Sequence, residues 1–549
     1  MEGWWLVSSE GPSCRYRFGS LESRGLVAGW RGGQIVAVAV SLGVAVMVLR
    51  GAPSLLGALG ALAVVCAGVM VATWPLRGRT AEQWVPDMAR FAWGVLASRD
   101  RRRSAAPGQG FRITGRDSAG ADGSRGALHC IPARESRSDA PGRSGPFGRM
   151  KLLEAPPVVA GADHWGTRLG GSGAAPMGMV FDSLARTYTA VLSVHGSGFV
   201  LLGPGEKDQR VGGWAGILAA LGREGSAVHR LQWVVRASPG DVSCLHGEAD
   251  ARAALPPDCP AARSYHSFID EVGPTVQDNE VLLAVSISAA KSAAAVRSAG
   301  GGAKGAGELL AREMSRLRQR LADIEVSTSR PLPARDLASS IRQAFAARAE
   351  GRVLNAPGRE GLDSEGSPAW PWPMALEERW TGLRADGTVH VTYWVAEWPR
   401  LEVGADFLAP LLVMTGARRS VAITMEPVSS LRAERQVEQS RTAGMADAEL
   451  RRQGGFLATA RRRREEEQLA SREIELADGH GQFRFTGYVT VTVDDPAGRD
   501  PAGRDSAGLE DACSAVEQAA GRAGIDLRRC YGDQLPAFMR TLPLARGLA

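Results

Sequence analysis

Gly300, Gly302 and Gly305 match the G-x-G-x-x-G spacing by which a glycine-rich turn presents backbone N–H groups to a pyrophosphate. That chemistry requires the turn to join a strand directly to a helix, so that the phosphate meets the helix N-terminus. Here about ten residues rich in Ala and Ser separate the strand expected over 281–289 from the first glycine, and the stretch reads as a loop ahead of a helix. No G-x-x-x-x-G-K-[ST] string occurs, and Lys207 and Lys304 lie near glycines without phosphate-binding spacing, so nucleotide hydrolysis is not expected. The eight histidines include no H-E-x-x-H and no ligand pair on one predicted helix, and His195 reads as a strand-end residue beside a turn. No G-x-S-x-G elbow is present. Cys14, Cys66, Cys130, Cys244, Cys259, Cys513 and Cys530 are scattered, odd in number and without a C-x-x-C pair, which fits a reducing compartment. These residues predict a non-enzymatic chain with no metal and no cofactor.

Tryptophan is the other conspicuous residue. Trp370-Pro371-Trp372-Pro373 precedes Trp380, Trp394 and Trp398. Alternation through His390, Thr392 and Trp394 describes a half-buried strand, so packing accounts for most of the rings. Trp370 and Trp372 stand as a candidate partner-binding patch. A second candidate is the segment 534–548, where Leu535, Phe538, Met539, Leu542 and Leu544 fall along a helix-capable stretch ended by Pro543. Gln534, Phe538 and Leu542 are its candidate contact residues, and the alternative is that they pack back near Tyr531.

The elements that carry these residues begin with two apolar runs, 32–49 and 52–74. Each is long enough to cross about 30 Å of hydrocarbon at roughly 1.5 Å per helical residue. Residues 32–76 thus read as a transmembrane hairpin, turned at Arg50-Gly51-Ala52-Pro53. Arg15, Arg17, Arg24 and Arg31 precede it, Arg77, Arg79, Arg90, Arg99 and Arg101 to Arg103 follow it, and Arg50 alone marks the turn. That asymmetry predicts a multi-pass cell-membrane protein with both termini and the body in the cytoplasm. A signal peptide fits poorly, because the polar leader is long and no small-residue cleavage site parts the two runs. A buried core hairpin fits poorly as well, because such helices usually keep one polar face.

The 549 residues carry 44 % hydrophobic content and a net charge of +6, enough for substantial cores. Much of the basic surplus lies beside the membrane, where anionic lipid attracts it, so nucleic acid is not implied. The predicted fold class is α+β. Residues 1–31 form a cytoplasmic tail, 77–98 an amphipathic helix built on Trp84, Met88, Phe91, Ala92 and Val95, and 99–149 a flexible linker. Residues 150–350 form a first α+β domain, 351–372 a linker, and 373–549 a second α+β domain with a charged helical insertion over 429–475. Gly444 and Gly454-Gly455 are expected to break that insertion into a hairpin. Pro-Ala-Gly-Arg-Asp occurs twice in succession over 496–505 and marks an expanded loop.

Taken in order, the membrane hairpin, the strand ending Trp398-Pro399-Arg400, the block Ala417-Arg418-Arg419-Ser420-Val421, the charged helices and the closing Tyr531-Gly532-Asp533-Gln534-Leu535-Pro536-Ala537-Phe538 with Leu542-Pro543-Leu544 resemble an actinobacterial family of integral membrane proteins associated with conjugative elements. That family is similar to the membrane-hairpin subunit and the ATPase N-terminal region of type IV secretion systems. The resemblance implies a membrane-anchored component that docks a separate secretion ATPase at the cytoplasmic face. Its other partners would be membrane lipids, membrane proteins of the same apparatus and further copies of itself. A type VII secretion component of the EccE kind, also a membrane hairpin with a cytoplasmic domain, is the alternative; a membrane-tethered enzyme with an unrecognised site is a third.

Overall fold

The computed structural model describes, apart from isolated positions, residues 3–8, 15–18, 32–51, 54–73, 149–155, 176–196, 202–252, 259–345, 371–453, 460–494 and 507–548. The predicted amphipathic helix (Met88 excepted), nearly all of both linkers and the repeated loop lie outside them. Strands β1 (Gly3–Ser8) and β2 (Arg15–Phe18) form an antiparallel pair inside the stretch read as a tail.

Helices α1 (Gly32–Gly51) and α2 (Leu55–Thr73) then occupy the two apolar runs, with 20 and 19 residues. They pack as an antiparallel pair. Ser41, Ala45, Gly57 and Ala61 are buried, and Val48 lies 3.8 Å from the position a Cβ on Gly60 would take. Leu42, Met47, Leu49, Leu59, Leu62 and Met70 point outward. Side chains are described for only part of each helix, and over the described residues no helix is long and apolar enough to cross a membrane.

The body alternates strands and helices: β3 (Met150–Ala155), β4 (Met177–Asp182), β5 (Thr187–His195), α3 (Pro204–Leu221), β6 (Val228–Pro239), α4 (Val242–Arg252), α5 (Pro260–Val272), β7 (Gln277–Ser288), α6 (Ala293–Ser298), α7 (Gly302–Asp323), β8 (Ser327–Pro331) and α8 (Ala334–Phe345). It continues with β9 (Leu376–Glu378), β10 (Leu383–Ala385), β11 (Thr388–Glu397), α9 (Ala409–Leu412), β12 (Arg418–Val428), α10 (Ser430–Gln453), α11 (Ala460–Ala477), β13 (Gln482–Asp494), α12 (Ala507–Arg522), β14 (Asp526–Arg529) and α13 (Gln534–Met539). The α+β expectation holds. Gly444 does not break the insertion, since α10 runs through it. A solvated helix tolerates one interior glycine at a cost of roughly 1 kcal/mol.

All described strands join one antiparallel sheet in the order β3-β4-β5-β7-β6-β12-β13-β11-β10-β9, with β8 beside β5, β14 beside β11 and β1 beside β13. The stretches 150–350 and 373–549 therefore share a sheet, joined where β6 pairs β12 from Arg419↔Ala237 to Met425↔Leu231.

They are also two copies of one arrangement. Each runs hairpin (β4-β5, β10-β11), helix (α3, α9), strand (β6, β12), two helices (α4-α5, α10-α11), strand (β7, β13), helix (α7, α12), strand (β8, β14) and helix (α8, α13). The registers agree. Thr187↔Ser288 matches Thr388↔Asp494, which equates Val285 with Val491. Leu231↔Val285 then matches Arg419↔Val491, which equates Val234 with Ala422. Val234 and Ala422 pair with each other, so a pseudo-twofold axis passes through that pair. Even the turns agree: Val326 N–H bonds Leu321 O and Ile525 N–H bonds Ala520 O, both at 2.9 Å, behind left-handed Glu325 (φ 59°) and Gly524 (φ 71°).

Two layers cover the sheet. Helices α3, α7 and α12 with the segment 398–412 bury one face through Ile217, Leu310, Met314 and Val516, and α8, α13 and the chain end bury the other through Leu337, Ile341, Phe538 and Leu542. On the first face Gly487 makes room for Trp398, whose Cζ2 would lie 2.8 Å from an added Cβ.

Candidate functional site

The residues expected to meet partners lie mainly in the second face. Gln534 is fully buried: its Oε1 accepts from Thr392 N–H at 2.9 Å and its Nε2 donates to Cys530 O at 2.8 Å. Phe538 packs on Phe345 and His390 at ring separations of 4.9 and 4.6 Å, and Leu542 is wholly enclosed. The segment read as a docking element is thus inlaid into its own sheet, and this corrects that reading. The reason is polar as well as apolar. Gln232 on β6 donates to Arg540 O and accepts from Ala545 N–H, each at 2.7 Å; Thr424 donates to Arg546 O at 2.7 Å; and Arg546 donates to the buried Asp182 carboxylate. The chain end thereby spans both repeats. Trp372 is also interior, stacked on Phe147 at 4.8 Å, with its carbonyl accepting from Arg342 Nη1 at 2.8 Å. Trp370 lies outside the described residues.

Beneath the inlaid segment runs a buried row of hydroxyls. His390 Nε2 lies 2.8 Å from Thr388 Oγ1 and its Nδ1 2.9 Å from Thr492 Oγ1, while Thr392 and Thr490 share a bond of 2.9 Å. Burial lowers His390 to a pKa of about 3, with Arg418 adding to the shift. A neutral imidazole between two hydroxyls, without a carboxylate to accept its proton, is a structural link rather than a general base. The alternation His390, Thr392 was legible as a half-buried strand, but both residues are completely buried. The missing signal was that hydroxyls at every second position of β11 and β13 would face a polar cover.

A second cluster joins the repeats. Glu426 accepts from Arg230 Nε and from Lys291 Nζ, each at 3.0 Å, and lies 3.6 Å from His229 Nδ1. Burial alone would raise the Glu426 carboxyl; His229, Arg230 and Lys291 together hold it below its ordinary value. Burial brings His229 down to about 4 against the pull of Glu426. On α4 and α5, the His246 and His266 rings stack at 4.9 Å with their Nδ1 atoms 2.6 Å apart, each Nε2 meeting a carboxylate, Asp270 at 2.8 Å and Asp250 at 3.1 Å. Among the described residues no group of three or more His, Cys, Asp or Glu is placed to hold a metal ion.

The glycine motif is placed differently from a phosphate loop. Gly300 (φ 107°), Gly301 (φ 73°) and Gly302 (φ 58°) turn the chain between helices α6 and α7 instead of joining strand to helix. Gly305 lies inside α7, where a Cβ would meet Val296 O at 2.2 Å, so its glycine serves close helix packing.

Residues 275–395 match the family described as a putative type VII ESX secretion system translocon, EccE. The matched stretch runs from β7 through α8 and on into β11, taking in the end of the first repeat and the start of the second. No curated protein matches the chain. The match supports the type VII alternative and a secretion-system component that is membrane-associated; it gives no support to the type IV and conjugation reading.

Proposed function

We propose that this chain is a structural, non-enzymatic component of a type VII-like secretion translocon. In this reading α1 and α2 seat it in the cell membrane as a hairpin, and the sheet body and both termini lie on the cytoplasmic side. The observation that carries the reading is the match over residues 275–395. The hairpin adds physical support: the buried positions described in it hold small residues while large apolar side chains such as Leu42, Met47, Leu59 and Leu62 face outward, the reverse of what water favours and a common arrangement of helices packed in lipid. The flanking arginines supply the orientation. The body holds a separate secretion ATPase alongside other membrane proteins of the apparatus. No nucleotide-binding motif of its own stands in the sequence, so the energy source belongs to a partner.

Two measurements test this. In the full chain carrying Ala52→Cys, a membrane-impermeant maleimide added to intact cells labels the new cysteine above the background of the parent chain; labelling only after lysis overturns the topology. Copurification in detergent recovers an ATPase of the type VII class. Recovery of a type IV-class ATPase, or of the body in the soluble fraction after cell breakage, overturns the assignment.

A further inference from the structure

On the helix-covered face, opposite the inlaid chain end, a cavity of about 310 Å³ opens between the sheet, α3, α7 and the segment 398–408. Val194, Leu283, Trp233 and Ile423 form its floor across four adjacent strands, β5, β7, β6 and β12, and Trp214 and Trp398 stand at its walls. Every side chain lining it is apolar or aromatic.

The duplication supplies an internal comparison. By the matched registers and turns, Val194, Trp233, Leu283, Leu321 and Val326 correspond to Val395, Val421, Val489, Ala520 and Ile525. All five of the latter are at most 5 % exposed. In the second repeat, Arg419 donates to the carbonyls of Leu411, Leu412 and Ala417 and draws α9 down, with Leu411 fully buried. In the first repeat Leu231 takes the place of Arg419, and Val194, Trp233 and Val326 remain partly exposed although Trp and Leu replace Val and Ala. The fold can close this space, and does so once; the open copy is a property of this half.

We propose that the cavity binds the alkyl chain of a fatty acid or membrane lipid. A peptide would bring N–H and C=O groups that a lining with no polar side-chain group but indole N–H leaves largely without partners, each paying its desolvation cost. Ordered water meets the same objection, since it needs two to four polar partners. A hydrocarbon chain has no group to satisfy. The volume admits roughly ten carbons, at about 30 Å³ for a group the size of a water molecule in a liquid. The site stands independently of the secretion assignment.

The test uses the full chain in phospholipid nanodiscs and reads tryptophan emission, because Trp214, Trp233 and Trp398 line the cavity. Bromododecanoic acid is titrated in one arm; in the other, the disc is built from phospholipid brominated along its chains. Ala405→Phe fills the cavity from the covering segment, and Val326→Phe fills it from the α7–β8 turn; melting curves verify that each variant folds. The expected result is saturable quenching near one ligand per chain, or quenching by the brominated disc, that both folded variants weaken at least tenfold. Quenching by the acid alone that both folded variants weaken assigns a free fatty acid, and such variant-sensitive quenching by the phospholipid alone assigns a lipid chain; either supports the site. Absence of quenching in both arms, or equal quenching of parent and folded variants, overturns it.

Discussion

His390 is the residue whose environment most directly sets a measurable property. The folded chain holds it neutral down to about pH 3, whereas in the unfolded chain it takes a proton near its ordinary value of 6.5. Between those values the unfolded state binds more protons. The stability His390 contributes is therefore complete above pH 6.5 and is lost as the pH falls through that window, by up to about 1.4 kcal/mol per pH unit. His229, lowered to about 4, acts in the same direction. Denaturation midpoints should fall between pH 7.5 and pH 5, and His390→Gln, which keeps polar contacts without a titrating ring, should flatten the slope. Equal slopes in parent and variant would remove His390 as the cause. Gly178 sets a steric limit on the same face: an added Cβ lies 2.6 Å from Ala334 backbone atoms at the start of α8. Backbone cannot turn aside as a side chain does, so Gly178→Ala should cost about 1–3 kcal/mol by chemical denaturation.

At the scale of elements, the inlaid chain end is held as much by polar bonds as by Phe538 and Leu542. Gln232 joins a strand of the first repeat to the terminal segment of the second through two bonds of 2.7 Å in a site closed to water. Gln232→Leu should leave Arg540 O and Ala545 N–H without these partners and lower stability by roughly 2 kcal/mol, read from urea unfolding with an unchanged slope. The two α-to-β turns make a matched pair for a second measurement. Gly524 holds φ 71° where its counterpart Glu325 holds 59°. Gly524→Ala meets only ordinary contacts with Pro399, the nearest at 3.6 Å, so its cost should be the left-handed backbone alone, about 1 kcal/mol. A loss above 3 kcal/mol would show that space, not backbone conformation, fixes the glycine.

For the whole molecule, the decisive feature is the seam between β6 and β12, centred on two equivalent residues, Val234 and Ala422. An antiparallel ladder centred in this way is what two copies of a single repeat would form about a true twofold axis. A fragment of residues 371–549 exposes the β12 edge, and an unpaired edge seeks a partner. Light scattering should find that fragment as a dimer, and Ala422→Lys, which sets like charges at the axis, should return it to a monomer. A monomeric parent fragment would show that the seam depends on contacts outside β12.

The sequence by itself determined the elements. Apolar runs at 32–49 and 52–74 became α1 and α2, and β-branched stretches became β5, β6, β7, β11, β12 and β13; α10 ends at Gln453 and α11 begins at Ala460, with Gly454-Gly455 outside the described residues. Such features follow from local periodicity and backbone preference, which neighbours along the chain decide. The short strands β9 and β10 carry too few residues for a period to show, and β1, far from its partner β13, had no local signal. Only the tertiary structure decided that the two halves repeat one another, that β6 meets β12, that Gln534, Phe538 and Leu542 face inward, and that one repeat closes over its sheet while the other leaves a cavity. Each of these depends on residues brought together from far along the chain, by ladder registers and buried polar bonds that no stretch of sequence displays on its own.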